Sequence, residues 1–388
     1  MKANVEKEGK KVANILDYLD WRGDIPLRVI PFNEADELVL CRLAYLPFEK
    51  VLDGTFRQLT AVPLREAVHR VRERCGEKGD GRTLLDPRDA QLLEKLENSP
   101  RFAAIRLTGY VNRLDKQQEK QFSAVTALLP DRTVLIVFRG TDNTMVGWKE
   151  DFNMSFAEAV PAQLDAVGYL EAAAAKFRRA KLRVCGHSKG GNLAVYAAAF
   201  CRQPVQERIL CVRNNDGPGF LDAVLQTEGY RNIVARTHTY LPQSSVFGML
   251  LEHAESYSVV QSEGNLITQH DLYGWQLTRS GPVPVKQLSD RSVFLDAALK
   301  DWLSSMDVQQ REQVVDSIFD ILQDAGIEEL EELLSGKKNR VLLKTVLRVD
   351  ENTRKVLISA LRILGDSLRR SLPRRRQTAQ EQPAQTEP

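Results

Sequence analysis

Residues 182–201 read LRVCGHSKGGNLAVYAAAFC. The mostly apolar 182–185 make a short buried strand and 192–201 an apolar helix, so Gly186-His187-Ser188-Lys189-Gly190 falls on a strand-to-helix turn. A nucleophilic serine needs that G-x-S-x-G spacing. The tight turn projects the hydroxyl above the sheet, and glycines two residues either side leave room for neighbouring backbone. The helix that follows points its positive end at the site. The backbone N–H of Lys189 is then placed as one oxyanion donor. A chance glycine-serine loop would match the same five residues without the strand before and the helix after.

Working outward, 122–129 and 133–139 are β-rich runs joined by Pro130-Asp131, which reads as a strand pair with a tight turn. An alanine-rich helix is expected over 164–179 and a buried strand over 209–213, ending in Asp216-Gly217-Pro218-Gly219. Further strands are expected at 233–238 and 257–260. Strands alternating with helices indicate an α/β sheet with helices on its faces. The strand 134–138 runs directly into Arg139-Gly140-Thr141-Asp142, where the Thr141 N–H and hydroxyl are candidates for a second oxyanion donor; alone, the segment would read as an ordinary polar turn.

Both flanks are helical. Amphipathic patterns cover 12–22, 34–46, 64–75 and 87–97 on the N-terminal side, with Asn33 as an N-cap and Asp86-Pro87 as a cap followed by proline at the first helical position. On the C-terminal side they cover 308–324, 327–334, 338–348 and 352–370. The expected organisation is a hydrolase body over 1–285 with a helical N-terminal region, a C-terminal helical appendage over 286–372, and a disordered proline- and glutamine-rich tail over 373–388.

Composition narrows the classes. The 388 residues are 43% hydrophobic and 27% charged, which is enough for a sizeable core and excludes a wholly disordered or fibrous chain. With 54 basic and 52 acidic side chains, no global charge excess calls for nucleic acid. A basic cluster, Arg369, Arg370, Arg374, Arg375 and Arg376, leaves room for local peripheral membrane contact, although a solvated end is the plainer reading. The five scattered cysteines form no CxxC pair and suit a reducing compartment. Met1 to Lys11 has no apolar signal-peptide core, and no apolar run is long enough to span a bilayer, so a cytoplasmic address is expected. No phosphate loop, dinucleotide loop or metal-ligand spacing occurs, so neither cofactor nor metal is expected.

VFRGTDNTMVGWKEDF (137–152) and VCGHSKGGNLAVYAA (184–198) together resemble the class 3, fungal-type lipase branch of the α/β-hydrolases. That branch carries an F-R-G-T/S strand end, a W-x-x-D stretch and a G-H-S-x-G-G elbow. More narrowly, NILDYLDWRGD (14–24), PFNEADELVL (31–40), NNDGPGF (214–220) and QHDLYGWQ (269–276) resemble a bacterial Mbeg-like family. The resemblance implies an α/β-hydrolase fold, Ser188 as nucleophile, and Thr141 and Lys189 as oxyanion donors. Trp148 and Asp151 match the lipase tryptophan and aspartate; packing and a cap are the roles expected of them. Lys189 replaces the usual leucine, which puts a charge where a greasy pocket mouth would be expected.

The base and the acid are harder to choose. In this fold they follow the serine in the order acid, then histidine, which sets His69 aside. His187, inside the elbow, supports the turn. His238 falls within an expected strand, and His253 closes a helix-like apolar run. His270, in a polar loop after the strand-like 265–268, fits a catalytic base best, with His253 as runner-up. For the acid, the stretch matching the lipase position, Tyr240 to Val246, holds no carboxylate. Asp216 ends the preceding strand and reads equally as the acid or as a turn former.

The expectation is therefore a serine hydrolase cleaving a small-molecule or lipid ester through an acyl-enzyme on Ser188. The alternatives are a vestigial hydrolase-fold scaffold that binds a partner through its helices, and an acyl transferase on the same site.

Overall fold

Residues 134–138, VLIVF, are apolar at every position, and both faces of this strand are covered. Val134, Ile136 and Phe138 enter one core while Leu135 and Val137 enter the other. A run buried on both sides needs no polar alternation. The computed structural model describes residues 13–54, 56, 61–75, 86–329, 332 and 338–371. The expected tail, 373–388, and half of the expected helix 327–334 lie outside the described residues.

The strands are β1 (Val62–Pro63), β2 (Arg106–Asp115), β3 (Lys120–Leu128), β4 (Val134–Phe138), β5 (Leu182–His187), β6 (Ile209–Asn215), β7 (Thr237–Pro242) and β8 (Ser256–Val260). They form one sheet in sequence order. β1 to β4 pair antiparallel, and β4 to β8 pair parallel. One face is covered by α1 (Ile15–Arg22), α2 (Glu34–Leu43), α3 (Leu64–Cys75) and α4 (Asp89–Glu97). Next in the chain comes α5 (Met145–Asn153), followed by α6 (Pro161–Lys176) and α7 (Lys189–Phe200). The short α8 (Gln203–Gln206), α9 (Asp222–Leu225) and α10 (Glu228–Ile233) follow, and α6 to α10 all supply residues to the opposite core. The result is a three-layer α/β fold of the α/β-hydrolase class.

Beyond β8 come α11 (Asp290–Ser304), α12 (Val308–Asp324), α13 (Asn339–Arg348) and α14 (Glu351–Ser371). Ser289 and Asp307 cap α11 and α12 by accepting from Ser292 N and Gln310 N.

Two expectations shift. The strand expected over 233–238 begins only at Thr237: Thr227 caps α10, whose Ile233 is fully buried, and a 3-10 turn follows at Val234–Arg236. β-Branched residues here fill a core from a helix. β2 was not expected, because Gly109 adopts φ 66° within it and the pairing to β3 slips between Thr108 and Val111.

Candidate active site

Ser188 stands at the join of β5 and α7 with φ 59° and ψ −136°. A left-handed φ costs a non-glycine residue on the order of 1–3 kcal/mol, so the surroundings must hold it. The Ser188 N–H donates to Asn215 O at 2.9 Å. A Cβ on Gly186 would lie 2.1 Å from Gly190 O, so the turn closes only with glycine there. β4 ends with Phe138 level with Gly186, which lays the following loop beside the serine. A Cβ on Gly140 would lie 2.7 Å from Ser188 Cβ.

On the other side, β6 sets Asn215 opposite His187, and Asp216 follows with φ 54°. Asp216 is fully buried. Its Oδ2 lies 2.6 Å from His270 Nδ1, while Oδ1 accepts from the Ser245 hydroxyl at 2.5 Å and from Gly248 N–H at 3.2 Å. A carboxylate only accepts, so His270 carries a proton on Nδ1, and in the neutral imidazole the lone pair is then on Nε2. Among the described residues, neither Ser188 Oγ nor His270 Nε2 has a hydrogen-bond partner. His270 ends a 3-10 turn, Leu266–His270, rather than following a strand. The Asn265–Thr268 reciprocal cap winds that turn.

His187 braces the same loop. Its Nε2 lies 2.7 Å from His270 O, and Nδ1 lies 2.9 Å from Tyr45 Oη. A carbonyl accepts, so Nε2–H donates and Nδ1 accepts from Tyr45. Burial first, then the neighbouring His270, holds the His187 imidazole well below its ordinary pKa.

Lys189 corrects an expectation. Its side chain does not reach the pocket mouth; it runs inward, 1% exposed, and donates to Gln121 O at 3.0 Å and Glu150 Oε2 at 2.9 Å. With the side chain engaged inside, the backbone N–H is the group of Lys189 left for the oxyanion role expected of it. Thr141 also differs: its hydroxyl donates to Asp151 Oδ2 at 2.5 Å, so the Thr141 N–H is the donor left over. Asp151 is accordingly no cap, and α5 is capped by Thr144 instead. Burial raises the Asp151 carboxyl to about 6, even though Lys189 and the Thr141 hydroxyl pull it down.

A cavity of about 260 Å³ adjoins Ser188. Its walls are mainly apolar: Trp148 and Phe152 from α5, Phe247 and Leu250 from the loop after β7, and Trp302 and Leu303 from α11. Phe247 packs its ring on His270 at 4.6 Å between centroids and on Trp148 at 5.9 Å.

The other histidines are engaged elsewhere. His238 bonds the Ser256 and Ser258 hydroxyls. His253 follows a 3-10 turn and bends, not a helix, and donates Nε2–H to Gly248 O at 2.7 Å. Its Nδ1 meets Glu255 at 2.8 Å. Burial alone would raise the Glu255 carboxyl, but His253, Thr239 and Tyr230 bring it down to about 2. Among the described residues no cluster of histidine, cysteine or carboxylate is placed to hold a metal. Nor is any helix there long and apolar enough to cross a membrane.

Sequence reasoning did not single out Tyr45, Glu150 or Ser245. Glu150 and Ser245 lie inside the stretches 137–152 and 240–246, but only the folded contacts give them roles: Tyr45 on His187, Glu150 on Lys189 and Ser245 on Asp216.

A covered, largely parallel sheet carrying a strained serine at a strand-to-helix turn defines an α/β-hydrolase fold. The chain belongs to the Mbeg1-like family, whose profile matches residues 96–320. No curated protein matches it. Among solved structures it is similar to a Rhizomucor miehei lipase–propeptide complex at 17% identity and TM-score 0.31, covering 43% of this chain and 58% of that one. The chain thus spans under three fifths of that lipase's length. It is also similar to the Lip2 lipase of Yarrowia lipolytica, at 12% identity and TM-score 0.35, covering 65% and 97%.

Proposed function

We propose that the chain is a serine hydrolase that cleaves an ester through an acyl-enzyme on Ser188. The observation that carries this reading is the 2.6 Å contact between His270 Nδ1 and the buried Asp216 carboxylate, beside a serine in a strained elbow. Asp216 holds the imidazole in the tautomer that leaves Nε2 basic. Ser188 Oγ attacks the ester carbonyl as its proton passes to His270 Nε2. The backbone N–H groups of Thr141 and Lys189 receive the oxyanion. The alkoxide leaves with the proton from Nε2, and water, deprotonated by the same nitrogen, then releases the acid and restores Ser188.

The apolar cavity supports an ester with an apolar acyl group, from a small molecule or a lipid. At about 260 Å³ it lies at the small end of ligand sites, which favours short or medium chains. A non-catalytic scaffold rested on a missing acid and on the large helical share; Asp216 against His270 speaks against the first ground.

A fluorophosphonate probe tests the reading. Labelling of the wild type, abolished in Ser188→Ala and strongly slowed in His270→Ala, is expected. Equal labelling of wild type and Ser188→Ala, or none of either, overturns it.

A further inference from the structure

Outside the hydrolase layers, α13 and α14 present apolar side chains to solvent. On α13, Val341 is 48% exposed, Leu343 61%, Val346 39% and Leu347 67%; on α14, Ile358 is 52% and Leu361 67%. Leu343 and Leu347 are four residues apart, hence in one row. Arg340, Lys344 and Arg348 form a second row at the same spacing, about 100° round the helix from the first. On α14, Arg354 and Arg362 share the exposed face with Ile358 and Leu361.

The charge there is one-sided. From 338 to 362 the sequence has seven basic residues, Lys338, Arg340, Lys344, Arg348, Arg354, Lys355 and Arg362, against Asp350 and Glu351. Lys355 pairs with Glu351, and Lys338 with Glu332. Arg340, Lys344, Arg348 and Arg362 have no hydrogen-bond or ion-pair partner among the described residues. The chain as a whole is nearly neutral at +2, so this is a local concentration.

The inner faces of the same helices reach the candidate site. Leu342 packs against a cluster of Val315, Phe319 and Leu322 that also takes in Trp148. The Trp302 indole N–H donates to Ala360 O at 3.0 Å. Trp148 and Trp302 both line the cavity at Ser188.

We infer that α13 and α14 form a docking surface for an anionic lipid bilayer. Exposed leucine and isoleucine beside unneutralised arginine and lysine is the chemistry of an interfacial helix: the apolar row enters the acyl boundary while the basic row meets anionic headgroups. A neutral protein partner would leave the basic row unanswered, and an acidic one would leave the leucine row without its apolar layer. The inference stands apart from the ester reading, because it concerns binding and does not require turnover.

Co-sedimentation of the full chain with vesicles tests it. Binding to equimolar phosphatidylcholine and phosphatidylglycerol, and much weaker binding to phosphatidylcholine alone, is expected. Each basic side chain near an anionic surface contributes about a factor of five, so Arg340→Ala, Lys344→Ala and Arg348→Ala together should cost about a hundredfold in affinity. Leu343→Asp with Leu347→Asp, both fully tolerable to the core, should also abolish sedimentation. Val29→Asp, at a site 63% exposed elsewhere, should not change it. Absence of binding, equal binding to both vesicles, or variants that bind like the wild type overturn the inference. So does a dimeric wild type that the leucine double variant converts to monomer, which assigns the face to a second copy of the chain.

Discussion

Lys189 Nζ donates to Glu150 Oε2 at 2.9 Å, one residue after the candidate nucleophile, and both side chains are sealed from solvent. Glu150 also accepts from Gln121 N and Ala162 N, so the pair ties α5, α6 and β3 to the elbow. Removing one partner leaves the other charge buried and unanswered, which costs about 3–5 kcal/mol. Lys189→Leu should therefore lower the unfolding free energy by that amount in urea titration. Adding Glu150→Leu should recover part of the loss, but not all, since two amides then lack an acceptor. An unchanged urea midpoint for Lys189→Leu contradicts the buried pair.

Asp151 gives a pH signature of definite sign. Its carboxyl is raised from 3.8 to about 6 in the folded state, chiefly by burial at the cavity wall. Between those values the native chain keeps a proton that the unfolded chain has released. Its contribution to stability therefore falls as pH rises through that window, and levels off above about 6. Asp151→Asn should flatten this component in unfolding free energy measured against pH. A wild type and variant with parallel curves would show that Asp151 titrates normally.

His187 acts in the opposite direction. Its imidazole is held below its usual 6.5 by burial, so the unfolded chain takes up a proton that the native one refuses, and stability falls as pH drops below about 6.5. Tyr45→Phe leaves His187 Nδ1 buried without a donor and should cost about 1–3 kcal/mol. Because His187 anchors the His270 carbonyl, the same variant should lower kcat more than it raises KM. Unchanged kinetics with reduced stability would confine Tyr45 to a packing role.

The His270–Asp216 and His253–Glu255 pairs should separate cleanly. His270→Ala and Asp216→Asn are each expected to cost about 10³–10⁴ in ester turnover. His253→Ala instead strands the buried Glu255 carboxylate, so urea titration should show a loss of about 3–5 kcal/mol while turnover per folded molecule stays within about tenfold. Turnover that survives His270→Ala and vanishes in His253→Ala reverses the assignment.

What the sequence made legible was local. The elbow sits between a strand and a helix that each carry their own pattern, so Ser188 could be singled out from twenty residues. Asp216 was ambiguous because Asp-Gly-Pro-Gly is good turn chemistry whether or not a histidine lies opposite. Only the parallel register of β6 and β7, with Asp216 N donating to Tyr240 O at 2.9 Å, fixes where its carboxylate lies. The direction of Lys189 was misread for a related reason. A lysine after the serine looks exposed until Glu150, thirty-nine residues earlier, is known to wait inside the protein. β2 escaped notice because a left-handed glycine interrupts its alternation.

The cavity wall contributed by α11 bears on where this chain can be shortened. The composition shift invites a cut near residue 285, yet Leu299, Trp302 and Leu303 lie beyond it. A fragment ended there would keep Ser188, Asp216 and His270 while opening the apolar side of the pocket to water. Phe247 and Leu250 would become a greasy surface, and the fragment should be prone to self-association and poor in retaining an acyl chain. Anyone trimming the protein for expression should leave α11 and its Ala360 anchor in place.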